Sequence, residues 1–155
     1  MTVSVEVEDQ AWQALPGIDE LARSAVIAAL ADTGHADPEC DIAVLFTSDD
    51  EIAAINAEWR GKDKPTNVLS FPTPEDMPVP AGEPRSLGDL VLAHGVIARE
   101  AVEQGKSLHD HTTHLIVHGT LHLLGFDHET DAEAEEMEAL ETRILKGLGI
   151  SNPYE

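Results

Sequence analysis

The chain has 155 residues and a mass of 16.7 kDa, which fits one domain over 1–155 and leaves no room for a second independent core. With 42% hydrophobic and 25% charged residues, its composition is that of a globular protein and excludes disorder as the main state. Nine Lys and Arg against thirty Asp and Glu give a formal net charge of −21. That charge excludes a broad basic nucleic-acid glove, but not a local basic patch, a bound metal or docking on a large assembly.

The N-terminus lacks the basic start and apolar stretch of a signal peptide. No window of the chain approaches the roughly eighteen apolar residues of a membrane span. The expectation is a soluble cytoplasmic protein without a membrane partner. Val3, Val5 and Val7 alternate with polar residues, the period of a half-buried strand. Ile18, Leu21, Ala22, Ala25, Val26, Ala29 and Leu30 have helical spacing, with Gly34 placed to end the helix. The single cysteine, Cys40, excludes an internal disulfide. Residues 42–46 are apolar enough for a central strand. Ser48 and Glu51 form a capping-box pattern that opens a helix to about Trp59. After the turn-rich residues 60–67, a brief strand over 68–71 ends at Pro72. The proline-rich segment 72–86 reads as a surface loop, and 87–93 as the fourth strand. Helices are expected over 95–104, 107–124 and 131–147. Four strands among about five helices, without regular βαβ alternation, define an α+β domain.

Six of the eight histidines fall between positions 109 and 128. His118 and His122 are four apart, which on a helix sets both imidazoles on one face, one turn apart. His128 lies six further on, and an unbroken helix would carry it away from that face. Gly125, between them, accepts the left-handed backbone that ends a helix and turns the chain back. Three neutral imidazoles suit one Zn²⁺ and leave a fourth position for water, as catalytic zinc sites do. Zinc would lower the pKa of that water from about 16 towards 7. The spacing makes this a zincin-like metal helix, similar to the metzincin signature H-E-x-x-H-x-x-G-x-x-H. Position 119, however, is glycine, so the protease's general base is missing from its usual place. His114, one turn upstream, is a candidate fourth ligand, supporting residue, proton carrier or packing residue. His109 and His111 are expected on the surface.

The stretch His118-Gly119-Thr120-Leu121-His122-Leu123-Leu124-Gly125-Phe126-Asp127-His128 resembles the hallmark of the YbeY family. So do Arg60-Gly61-Lys62-Asp63-Lys64-Pro65-Thr66-Asn67-Val68-Leu69-Ser70-Phe71-Pro72 and, more weakly, Leu87-Gly88-Asp89-Leu90-Val91-Leu92, in the family's order. The resemblance implies a metal-dependent endoribonuclease built on a mixed four-stranded sheet packed with helices. It implies one zinc held by His118, His122 and His128, and Arg60 as a functional residue. It also implies maturation of ribosomal RNA, especially the small-subunit 3′ end, and ribosome quality control.

The expected activity is therefore zinc-dependent endonucleolytic cleavage of single-stranded regions of ribosomal RNA precursors, with the ribosome or its proteins as partners and no DNA substrate. His118 and Arg60 are the expected catalytic residues. Arg60, Lys62 and Lys64 are the densest positive spot in the chain. A guanidinium grips phosphate through paired hydrogen bonds, which fits Arg60 to hold the scissile phosphate; a structural ion pair is the alternative. Asp127 could orient a neighbouring imidazole or cap the turn. The acidic run from Glu129 to Glu141 reads as a solvated helix face, and Trp12 and Trp59 as core or cleft-wall residues. Two other functions compete: a metallohydrolase of another substrate such as peptide, and a non-catalytic ribosome-assembly factor braced by zinc.

Overall fold

Alternating Val3, Val5 and Val7 do form the first strand, β1 (Thr2–Val7), in the computed structural model, which describes residues 2–35, 40–74, 78, 82 and 85–154. A 3-10 turn over Gln10–Ala14 follows. Its five residues are too few to carry a periodic signal, and the sequence reading passes over it. Next come α1 (Ile18–Asp32) and β2 (Cys40–Thr47). Ser48 then caps α2 (Asp49–Arg60), its hydroxyl accepting from the Glu51 amide at 3.2 Å. β3 (Val68–Pro72) includes the proline expected to end it. β4 begins two residues earlier than predicted, at Arg85, and runs to Ala93. Of the expected 72–86 loop, residues 75–77, 79–81, 83 and 84 lie outside the described residues. The chain continues through α3 (His94–Gln104), α4 (Leu108–Leu123) and α5 (Asp131–Gly147).

The sheet order is β1-β2-β4-β3. β1 and β4 both pair parallel with β2, and β3 pairs antiparallel with β4. The four-stranded sheet is thus mixed and open, and the domain is α+β. Its two faces are covered unequally. On one, Ile42, Val44, Phe46, Leu90 and Leu92 pack with α1, α4 and α5 in the main core. On the other, among the described residues, Leu69, Val91 and Ala93 form a small cluster with Leu45, Phe71 and, from the short α2, Ile52 and Ile55. At about 25 cal/mol per Å² of apolar surface, the thicker layer carries most of the hydrophobic stabilisation.

α4 is the central helix, buried on nearly all sides from His111 to Leu121, as expected for a helix sandwiched between a sheet and other helices. It packs against α1, α3, α5 and the β3 edge. Gly119 permits this approach. A Cβ there would lie 2.8 Å from Leu90 Cδ2 and 3.1 Å from Ser70 Oγ, inside van der Waals contact. Among the described residues no helix is long and apolar enough to cross a membrane.

Candidate metal centre

The Ser107 hydroxyl starts α4 by accepting from the Asp110 amide at 3.0 Å. One turn apart near its C-terminal end, His118 and His122 face the same way, with their Nε2 atoms 3.1 Å apart. The helix stops at Leu124, and Gly125 takes φ +97°. The Phe126 amide reaches back to the Leu121 carbonyl at 3.1 Å. That reversal brings His128 to the pair, its ring centroid 5.7 Å from that of His118 and 5.2 Å from that of His122. Asp127 caps the turn: its Oδ1 accepts from the His128 amide at 2.8 Å, and it stands 3.8 Å from His128 Nδ1.

One nitrogen from each of the three histidines lies within 4.8 Å of the other two. Zn–N bonds of about 2.0–2.1 Å at a tetrahedral angle separate two ligand nitrogens by about 3.3 Å, so the 3.1 Å between His118 and His122 suits a shared ion. His128, the most exposed of the three, completes the group from the solvent side. The donor set is all imidazole, which suits a borderline-soft divalent metal. Burial, then the proximity of His118 and His128, pulls the His122 pKa below its ordinary value and favours the neutral, ligating form.

The group that orients His118 was not predicted. Glu141 of α5 is buried, and its Oε1 accepts from His118 Nδ1 at 3.1 Å and from His114 Nε2 at 2.7 Å. Its Oε2 accepts from the Tyr154 hydroxyl at 2.9 Å. Fixing the proton on His118 Nδ1 leaves Nε2 as a lone pair aimed at His122, which is how carboxylates prepare histidine ligands. Burial alone would raise the Glu141 carboxyl; the hydrogen bonds from His114 and His118 outweigh it and hold the pKa down at about 2. Burial and the adjacent Glu141 charge push the Tyr154 hydroxyl far above its ordinary value, so it stays a donor.

Glu141 therefore corrects the reading of the 129–141 run as a solvated face. Most of that run is solvated, but Glu141 shares a stripe with buried Met137, Ile144 and Leu145. A carboxylate at helical spacing within an apolar stripe is the signal that could have found it. His111 is a second correction. Expected on the surface, it is buried, with Nε2 donating to Glu100 Oε1 at 2.9 Å. Asn67 donates to the same carboxylate at 3.0 Å and accepts from the Val68 amide, pinning the start of β3. His109 is exposed as expected and pairs with Asp110. His114 joins the Glu141 network and is not among the triad nitrogens.

Arg60 is the last residue of α2, on the opposite sheet face from α4, and apart from the triad. It is exposed and makes no ion pair among the described residues, unlike Arg99 and Arg143, which bind Asp49 and Asp32. Gly119 turns its missing side chain toward Ser70 and Leu90. The position of the metzincin glutamate thus faces the sheet, and no glutamate side chain would fit there.

A helix-borne histidine pair, closed by a glycine turn and braced by a buried carboxylate, places the protein among small α+β proteins with a three-histidine metal-binding geometry. The chain belongs to the YbeY family: the family profile described as Endoribonuclease YbeY matches residues 6–149. It is 51% identical to the Endoribonuclease YbeY of Azorhizobium caulinodans over 99% of this chain and 96% of that one. It is 52% identical to the protein of that name from Chelativorans sp., over 99% and 93%. A solution structure of TM1509 from Thermotoga maritima shares the fold, with a TM-score of 0.62 and 24% identity over 94% of this chain and 87% of that one.

Proposed function

We propose that the protein is a zinc-dependent endoribonuclease acting on single-stranded regions of ribosomal RNA precursors in the cytoplasm. Its step is maturation of the small-subunit RNA 3′ end and removal of defective ribosomes, in company with the ribosome or its proteins. The observation that carries the reading is the convergence of three imidazole nitrogens within 4.8 Å, one of them oriented by a buried carboxylate. Family membership supplies the class of substrate.

His118, His122 and His128 would hold the zinc. When bound, zinc supplies Lewis acidity toward a phosphodiester oxygen and acidifies nearby water. The chain's own residues do the rest. Glu141 keeps the His118 proton on Nδ1, so that the ring stays neutral and directed. Arg60, on the far face of the sheet, would grip a phosphate of the same RNA strand through its planar fork and so help position the scissile bond. Gly119 leaves no general base beside His118, which fits phosphodiester cleavage better than peptide hydrolysis.

The test is cleavage of a precursor spanning the small-subunit RNA 3′ end, beside a peptide panel. Wild type, His118→Ala and Arg60→Ala are compared with and without chelator. The expected result is RNA cleavage that chelator and His118→Ala abolish and Arg60→Ala cuts at least about tenfold. Cleavage indifferent to chelator and to His118 contradicts the mechanism. Peptide cleavage without RNA cleavage favours the metallohydrolase alternative. Normal RNA ends and intact ribosome binding in cells carrying the histidine variants favour an assembly factor.

A further inference from the structure

Trp59 ends the stripe by which α2 meets the sheet, following Ile52 and Ile55, yet it is 69% exposed. A tryptophan serving only to close that small core would be covered. Its ring meets Phe71 edge to face, with centroids 6.3 Å apart. Beside it, the part of the sheet that α2 leaves bare forms a groove of about 470 Å³, with Leu45, Val91 and Phe71 among its apolar walls and Glu6 and Asp89 among its polar ones. That volume lies within the range of about 300–1,000 Å³ usual for small-molecule sites.

The next turn supplies the charge. Arg60, Lys62 and Lys64 are exposed and make no ion pairs among the described residues. The turn is built rather than loose: buried Asn56 donates to the Lys64 carbonyl at 3.0 Å, and the Lys62 amide returns to the Asn56 carbonyl. An accessible aromatic face next to cations fixed on one turn is how proteins hold single-stranded nucleic acid, stacking the base and tracking the backbone.

We propose that this groove is a nucleobase subsite in which Trp59 stacks a base of the single-stranded substrate, with Phe71 as an apolar wall beside it, while Arg60, Lys62 and Lys64 hold its phosphates. Glu6 and Asp89 repel phosphate, so the backbone runs on the Arg60 side and the base points inward. The subsite lies across the edge strand from the metal centre. Phe71 faces the groove, while the neighbouring Ser70 hydroxyl donates to the carbonyl of Gly119, beside His118, at 3.3 Å. This rests on the RNA-cleaving function above.

The chain has two tryptophans. Trp12 is 1% exposed and bonded to the Thr47 carbonyl, so ligand-dependent changes in intrinsic fluorescence report Trp59. A 2′-O-methyl oligoribonucleotide of mixed sequence is titrated into the zinc-loaded protein. Saturable quenching is expected, absent in Trp59→Phe although that variant still binds by fluorescence anisotropy. Trp59→Ala should weaken binding and raise KM for RNA by about 5- to 150-fold, the range for one stacked base, with a far smaller change in kcat. Trp59→Phe should restore most of the loss. Saturated binding without quenching overturns the proposal, as does a Trp59→Ala protein with wild-type affinity. A change in sedimentation with unaltered RNA binding also overturns it and marks the face as a protein contact. If the wild type stacks RNA on Trp59 but cuts none, the subsite stands and the catalytic function falls.

Discussion

Glu141 Oε1 lies 3.1 Å from His118 Nδ1, and that contact ties α5 to the end of α4 that carries the histidine triad. A helix that reads as charged surface thereby determines which nitrogen of His118 is free. Glu141→Gln keeps the volume but loses the charge and the certainty of the His118 tautomer. Zinc affinity should fall by about 10- to 100-fold, the usual effect of removing a ligand's carboxylate partner. Competition against a chromophoric chelator measures it, and unchanged affinity would remove Glu141 from the site.

Tyr154 makes the C-terminal segment part of this network through its bond to Glu141 Oε2. Tyr154→Phe removes one hydrogen bond to a buried charge, which costs about 1.5–3 kcal/mol. Urea unfolding of the metal-stripped protein should show that loss at unchanged m-value. A variant as stable as wild type would mean that water replaces the hydroxyl.

Gly119→Ala probes how closely α4 presses on the sheet. The added methyl meets Leu90 at 2.8 Å and Ser70 at 3.1 Å, and overpacking of this kind costs about 1–3 kcal/mol. The better helix propensity of alanine recovers about 1 kcal/mol of that at most. Thermal unfolding should show a lower Tm; a higher one would place the helix further from β3 than described.

Acid should destabilise the metal-stripped protein partly through His111. Burial lowers its pKa, only partly offset by Glu100. Below its unfolded value of about 6.5 the unfolded chain then holds more protons than the native one. The stabilisation is complete above that pH and is lost as pH falls toward the lower folded value. His111→Gln, which can still donate to Glu100, should flatten the pH dependence of the urea midpoint between about pH 7 and pH 5.5. An unaltered slope would assign the acid sensitivity elsewhere.

The site was legible where the chemistry is local. The i, i+4 pair His118 and His122 and the breaker Gly125 lie within eight residues, and short-range geometry alone brings the ligands together. The Ser48 cap and the α5 limits were readable for the same reason. What escaped depends on packing between distant elements. Glu141 is 23 residues from His118 and sits among exposed acids. His111 shares the stripe of His114 and His118, but only the approach of α3 buries it against Glu100. Trp59 does line a cleft, as expected, but its exposure was not legible, because nothing in its neighbours reveals that α2 stops short of covering the sheet.

Anomalous diffraction at the zinc absorption edge, on crystals of the zinc-loaded protein, tests the central claim most directly. One peak per chain is predicted, about 2.0–2.1 Å from a nitrogen of each of His118, His122 and His128, and gone in His118→Ala crystals. A peak elsewhere, or one that survives the loss of His118, would contradict it.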